Sequence, residues 1–219
     1  EDVIKVLTGI EVAADGLGAL PCGWMVHSKD GSEMKQPFHP VMAGSKVNYV
    51  GEPVALVVAE TYLAAKNAAE LVEVDYDDLD AVVNVLDAQG APDIYEDVPG
   101  NTAFNWELGE REATLEAIDK APHVTKIRLV NNRLIPNALE PRAAISDYNT
   151  GTDELTLYTT SQNPHMVRLV FTAFVQLAPE HKLRIIAPDV GGGFGSKIFI
   201  YSEETAISWA SMKLGIPIK

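Results

Sequence analysis

The stretch Asp189-Val190-Gly191-Gly192-Gly193-Phe194-Gly195-Ser196-Lys197 places four glycines within five positions. Such a run removes side chains where backbone must approach another group closely or adopt φ > 0. The apolar run Leu183-Arg184-Ile185-Ile186-Ala187 precedes it, so the glycines are expected to leave the end of a β-strand. Phe194 in their midst argues against a flexible linker. Two readings follow from the loop alone: a backbone-lined ligand site, or a tight, close-packed turn.

Spacing removes the two commonest nucleotide explanations. A dinucleotide fingerprint needs glycines at the first, third and sixth positions. The sixth position counted from Gly191 is Ser196, and from Gly193 it is Ile198. A phosphate-binding loop needs Gly-Lys-Ser/Thr, whereas here Ser196 precedes Lys197 and no Gly does.

The 219 residues suffice for one large domain or two modest ones. A net charge of −14, with no Lys/Arg cluster, argues against a nucleic-acid or anionic-membrane partner. Cys22 is the sole cysteine, so there is no internal disulfide and no CxxC pair for zinc or iron–sulfur ligation. No run approaches the ~20 apolar residues of a membrane helix, and no basic-then-apolar leader opens the chain. The expected compartment is the cytoplasm. Glu1 in place of Met, and a helix stop plus strand start at Gly215-Ile216-Pro217-Ile218-Lys219, are read as the ends of a fragment.

Along the chain, strands are expected at Val3–Leu7, Lys46–Tyr49, Pro53–Ala59 and Glu73–Tyr76. The run Val54–Val58 is continuously apolar and is expected to be buried on both faces. Residues 11–40 read as mostly loop, and Thr61–Val72 as a helix completing a strand–helix–strand unit. Asn84–Glu107, with Gly90, Pro92, Pro99 and Gly100, is the best boundary; Trp106 and Tyr95 put it on a domain surface. A surface helix is expected over Glu110–Ala121 and an alternating strand over His123–Val130. Pro141–Tyr148 and Leu155–Thr160 should pair across the turn Asn149-Thr150-Gly151-Thr152-Asp153. A deeply buried helix is expected from Asn163-Pro164 to about Leu177. A second should run from Ser202, as N-cap, to Leu214, with Glu203 and Glu204 complementing its dipole.

The five histidines show no metal-ligand spacing, and no Gly-x-Ser-x-Gly elbow is present. Glu140-Pro141-Arg142 reads as a structural salt bridge or hydrogen-bonded corner in preference to a catalytic pair. Gln162 is a neutral donor and acceptor between a strand and a helix. Alone it reads as a cap or turn residue. Together with the glycine loop at a neighbouring strand end, it marks a crevice suited to a ligand.

Three stretches carry a resemblance: Asn137-Ala138-Leu139-Glu140-Pro141-Arg142-Ala143, Thr160-Ser161-Gln162-Asn163-Pro164-His165, and Ala187–Lys197. Together they resemble the molybdenum-binding large subunit of the xanthine dehydrogenase/aldehyde oxidase family, in its carbon-monoxide-dehydrogenase-like branch. Val50-Gly51-Glu52-Pro53-Val54-Ala55 and Ala68–Tyr76 resemble the family's a/b hammerhead domain.

The resemblance implies an α+β fold. Its parts would be a hammerhead domain over residues 1–83, a linker over 84–107 and the first part of a molybdopterin-binding domain over 108–219. It implies a molybdenum held by the dithiolene of molybdopterin, in its plain or cytosine dinucleotide form, with no protein side chain on the metal. Gln162 would hydrogen-bond an oxo ligand, and Gly192, Gly193, Phe194 and Gly195 would line the cofactor. The full protein would oxidise a small substrate with water as oxygen source. It would pass electrons to a 2Fe-2S small subunit and an FAD-binding medium subunit, in a dimer of heterotrimers. Ile198 stands where purine- and aldehyde-oxidising members carry Glu, which counts against a purine substrate. The family's catalytic Glu is expected beyond Lys219. The rival readings are a non-catalytic scaffold module without molybdenum and a flavin or nicotinamide binder, the latter disfavoured by the glycine spacing.

Overall fold

The computed structural model describes residues 2–219. The chain forms two compact units. One comprises Glu1–Gly23, Pro37–Ala81 and Pro136–Lys219; the other comprises Trp24–Gln36 and Val82–Ile135.

In the first unit β1 (Val3–Thr8) pairs antiparallel with β2 (Ala55–Ala59). Between them lies α1 (Gly9–Ala14), a short helix that runs into the segment expected to be loop. Gly9 permits it: a Cβ there would stand 2.0 Å from the Ala43 carbonyl oxygen, so backbone approaches backbone where no other residue fits. α2 (Tyr62–Ala69) starts at Thr61, whose Oγ1 accepts from the Ala64 N–H at 3.2 Å. It ends earlier than the sequence suggests.

Lys46–Tyr49 and Glu73–Tyr76 are not strands, and among the described residues the strand–helix–strand unit is absent. In β2 only Val58 is buried, so its apolar continuity does not mean two covered faces. A strand needs a partner row of N–H and C=O groups, which composition cannot supply.

The larger sheet holds β3 (Ala144–Asn149), β4 (Glu154–Thr159) and β5 (Leu183–Ile186) in that order. β3 and β4 form the expected hairpin. Asn149 Oδ1 accepts from the Gly151 and Thr152 N–H groups, and Asp153 takes φ 56°, a conformation Asp tolerates. β5 runs parallel to β4 and is joined to it through α4 (Pro164–Ala173).

α4 is shorter and less buried than expected. Val167, Val170 and Phe171 face the core, while Met166 and Leu169 are exposed. Gln176, at φ 57°, breaks the helical continuation towards Leu177. α5 (Ser202–Leu214) has the expected bounds, but its N-cap is Tyr201 and not Ser202. Gly215 closes it in the left-handed conformation. Ile218 then bridges Ser146, as the strand start after the helix stop predicts.

Three apolar clusters organise this unit, the smallest formed by Leu20, Val170 and Val175. Leu155, Leu157, Val167, Phe171 and Leu183 pack between the sheet and α4. Leu7, Val12, Val41, Met42, Val58, Trp209 and Ala210 pack the β1–β2 segment against α5. Asp15 reinforces the second contact, accepting from Trp209 Nε1 at 2.8 Å and Lys213 Nζ at 2.6 Å.

The other unit contains α3 (Arg111–Asp119), the expected surface helix, with Leu115 and Ile118 exposed. Asn101 organises the turns before it: its Nδ2 donates to the Ala88 and Pro92 carbonyls, and its Oδ1 accepts from Ile94 N–H. Trp106 is 55% exposed, so its ring does not hold the boundary segment down on a domain surface as the sequence suggests. His123–Val130 is not a strand: among the described residues its alternating positions find no pairing row, and Ile127 and Leu129 lie in the open.

Candidate functional site

β4 ends at Thr159, β5 ends at Ile186, and the segments leaving their adjacent ends meet. Gln162 lies on the first and the glycine loop on the second. Gln162 N–H donates to the Lys197 carbonyl at 2.8 Å. Its side-chain Oε1 accepts from Gly195 N–H at 3.1 Å and Lys197 N–H at 3.3 Å. Two N–H donors facing one end of the amide require oxygen there, so the NH₂ end points away from the loop backbone. Asn163 N–H donates to Ser161 Oγ at 2.9 Å, which steadies the first turn of α4.

The loop fits closely over this amide. A Cβ on Gly193 would lie 2.2 Å from Gln162 Oε1, so glycine is the only residue type that admits the observed contact. Gly192 and Gly195 take φ of 92° and 93°. Phe194 itself sits at φ 50° and is 75% exposed, its ring projecting from the loop. Among the described residues, the N–H groups of Gly192, Gly193 and Phe194 make no hydrogen bond. Three successive backbone donors of the loop and the NH₂ end of Gln162 are therefore left without a partner among the described residues. A bulky aromatic residue at positive φ is a costly conformation, of the kind that collects at ligand sites.

Glu140, the expected structural corner, fastens the loop, but its partner is not Arg142. Lys197 Nζ donates to both the Glu140 carbonyl and Oε2, each at 2.8 Å. Gly191 N–H donates to the same Oε2 at 2.7 Å. The Lys197 ammonium, and after it the Gly191 N–H, hold the Glu140 carboxyl below the usual carboxylate range. The contribution of these bonds is present above the ordinary Glu pKa and is lost as pH falls through the depressed folded value. Arg142 instead lies 3.5 Å over the Tyr201 ring and 3.4 Å from Glu203. Tyr201 O–H donates to the Ser196 carbonyl, closing the far side of the loop onto α5.

Beneath this corner lies a group that sequence reasoning treated only as a dipole partner. Glu204 is 7% exposed, accepting from Thr159 Oγ1 at 2.6 Å and Tyr201 N–H at 3.1 Å. Burial pushes its carboxyl up, against the opposing pull of those two bonds and of Arg142. A raised folded pKa means stability is greatest below the ordinary value of 4.5 and is lost as pH rises through the folded value. Glu204→Gln keeps an oxygen for Tyr201 and turns its NH₂ towards Thr159. Its melting temperature is expected to gain on that of the wild type as pH rises from acidic to neutral. A pH-independent difference between the two melting curves would contradict this.

The donors gathered here are neutral N–H groups, suited to oxygen acceptors. Among the described residues no group of three or more His, Cys, Asp or Glu is placed to hold a metal ion. Nor is any helix of these residues long and apolar enough to cross a membrane.

Comparisons with known proteins converge. Residues 1–80 match the family model described as the a/b hammerhead domain of aldehyde oxidase and xanthine dehydrogenase. Residues 94–219 match the molybdopterin cofactor-binding domain. The carbon monoxide dehydrogenase large chain of Afipia carboxidovorans is 38% identical over 193 residues, covering 82% of this chain and 24% of the relative. The nicotine 6-hydroxylase large subunit of Paenarthrobacter nicotinovorans is 34% identical over 181 residues, covering 82% of this chain and 22% of that one. The solved quinoline 2-oxidoreductase from Pseudomonas putida 86 matches with a TM-score of 0.85 at 29% identity, over 99% of this chain and 27% of that one. The chain thus spans about a quarter of the length of the proteins it matches.

Proposed function

This chain belongs to the aldehyde oxidase and xanthine dehydrogenase family, and we propose that it is part of the molybdopterin-binding large subunit of an oxidoreductase. In this reading residues 1–83 are hammerhead domain, 84–107 a linker, and 108–219 the first part of the cofactor domain. The full protein oxidises a small substrate of the aldehyde, heterocycle or carbon monoxide class, with water as oxygen source. Electrons leave through 2Fe-2S and FAD subunits, in a cytoplasmic dimer of heterotrimers. The cytosine dinucleotide form of the pterin is the proposed variant.

The observation that carries this reading is the polarity of the Gln162 amide. Its oxygen is taken by the Gly195 and Lys197 N–H groups, so its NH₂ is the end left to donate. The residues fit the cofactor. Gln162 Nε2 would donate to an oxygen of the bound group, and the unbonded Gly192, Gly193 and Phe194 N–H groups would donate alongside it. Gly193 lets the loop close onto the oxygen end of the Gln162 amide. The exposed Phe194 ring would cover an apolar edge and exclude water from that side. When bound, the molybdenum centre supplies the two-electron chemistry, while the protein supplies preorganised donors in fixed positions.

Metal and pterin analysis of the full-length protein, purified with its partner subunits from molybdate-replete cells, tests the reading. Stoichiometric molybdenum is expected; its complete absence would leave the scaffold module in its place. In that complex Gln162→Ala is expected to lower turnover about a hundredfold, the cost of removing one preorganised donor. Unchanged turnover together with unchanged cofactor content would remove Gln162 from the site.

A further inference from the structure

We propose that Lys197 is a positioning residue: its ammonium, paired with Glu140, holds the glycine loop in the curvature that aims the Gln162 amide. This rests on the cofactor reading of the same site.

Lys197 is only 2% exposed, and a lysine is seldom buried so fully without a specific partner. Burying an ion pair is a poor route to stability, because an apolar side chain of similar volume often serves as well or better. Its use here is geometric. The ammonium reaches the Glu140 carbonyl and Oε2, the Lys197 N–H reaches Gln162 Oε1, and the Lys197 carbonyl accepts the Gln162 N–H. Glu140 Oε2 also accepts from Gly191 N–H. One carboxylate oxygen therefore anchors both ends of the loop, at Gly191 and at Lys197. The unbonded donors of Gly192, Gly193 and Phe194 arch between those anchors, over Gln162. Without the ammonium the half-exposed Glu140 carboxylate turns to water and releases Gly191. The Gly195 and Lys197 N–H groups then lose their fixed places, and with them the orientation of the amide.

The test is Lys197→Met in the full-length protein purified with its partner subunits. In complex from molybdate-free cells, hydrogen exchange of the bonded loop amides of Gly191, Gly195 and Lys197 should speed up about tenfold, while β4 and β5 stay as protected as in the wild type. Glu140→Gln should do the same, and the double variant should add little to either. In molybdate-replete complex reduced with dithionite, the Mo(V) paramagnetic resonance g values should move in the same sense as in Gln162→Ala, at unchanged molybdenum content.

Unchanged loop exchange in Lys197→Met overturns the proposal. So does loss of protection in β4 and β5 along with the loop, or failure of both variants to accumulate, since either makes the pair a fold-wide support. The exchange experiment holds no molybdenum. A wild-type complex that never binds the metal would therefore sink the cofactor reading and leave the loop result standing.

Discussion

Gly193→Ala is expected to lower turnover of the full-length complex about a hundredfold while leaving the fold intact. The added Cβ would stand 2.2 Å from Gln162 Oε1, 2.6 Å from its Cδ and 2.9 Å from its Cγ. All three atoms belong to one side chain, so the strain is relieved by expelling that side chain. The amide then loses the Gly195 and Lys197 N–H groups and its NH₂ no longer points where they aimed it. Gly195 provides a contrast: a Cβ there meets nothing within 4 Å, and the penalty for alanine is only the backbone cost of φ +93°. A double-mutant cycle isolates the cause. In a Gln162→Ala background the added methyl group has room, so Gly193→Ala should cost almost nothing further in stability or turnover. An undiminished cost in that background would mean that the close approach at Gly193 serves something other than Gln162.

Phe171→Ala is expected to destabilise the protein by about 3–5 kcal/mol, lowering its melting temperature by roughly 10 °C. Phe171 is 0% exposed and packs with Leu155, Leu157, Val167 and Leu183, between α4 and the sheet. Truncation leaves a cavity under the helix whose N-terminus follows Gln162, so the loss should reach the site as well. Leu169 lies on the same helix but is 48% exposed, and its truncation should cost less than about 0.5 kcal/mol. Thermal unfolding of the two variants side by side distinguishes them. Equal losses would contradict the amphipathic packing of α4.

That packing also shows where sequence and structure part. The run from Met166 to Leu177 is apolar nearly all round, which reads as burial on every side. The helix in fact ends at Ala173, and Gln176 turns the chain into the left-handed region. Local chemistry was legible where it acts over a few residues: the Asn149 turn, the Gly215 stop, and the loop leaving β5. Long-range pairing was not. Lys46–Tyr49, Glu73–Tyr76 and His123–Val130 carry strand composition, yet no described strand offers them a partner row.

At the site, the junction of Gln162 with the glycine loop could be read from two strand ends. The role of Glu140 as a corner could be read too. Its partner could not, because Lys197 lies 57 residues further on, whereas Arg142 stood two positions away. Glu204 looked like an ordinary acidic residue in a first helical turn. Only packing reveals that it is buried against Thr159.

In the proposed function the fold aims the Gln162 NH₂ at a bound molybdopterin centre. A cofactor-loaded structure of the full-length complex tests it most directly. Gln162 Nε2 is expected about 3 Å from an oxygen of the cofactor, with Oε1 still held by the Gly195 and Lys197 N–H groups. A cofactor seated away from this loop, or an amide turned so that Oε1 faces it, would rule out that role for Gln162.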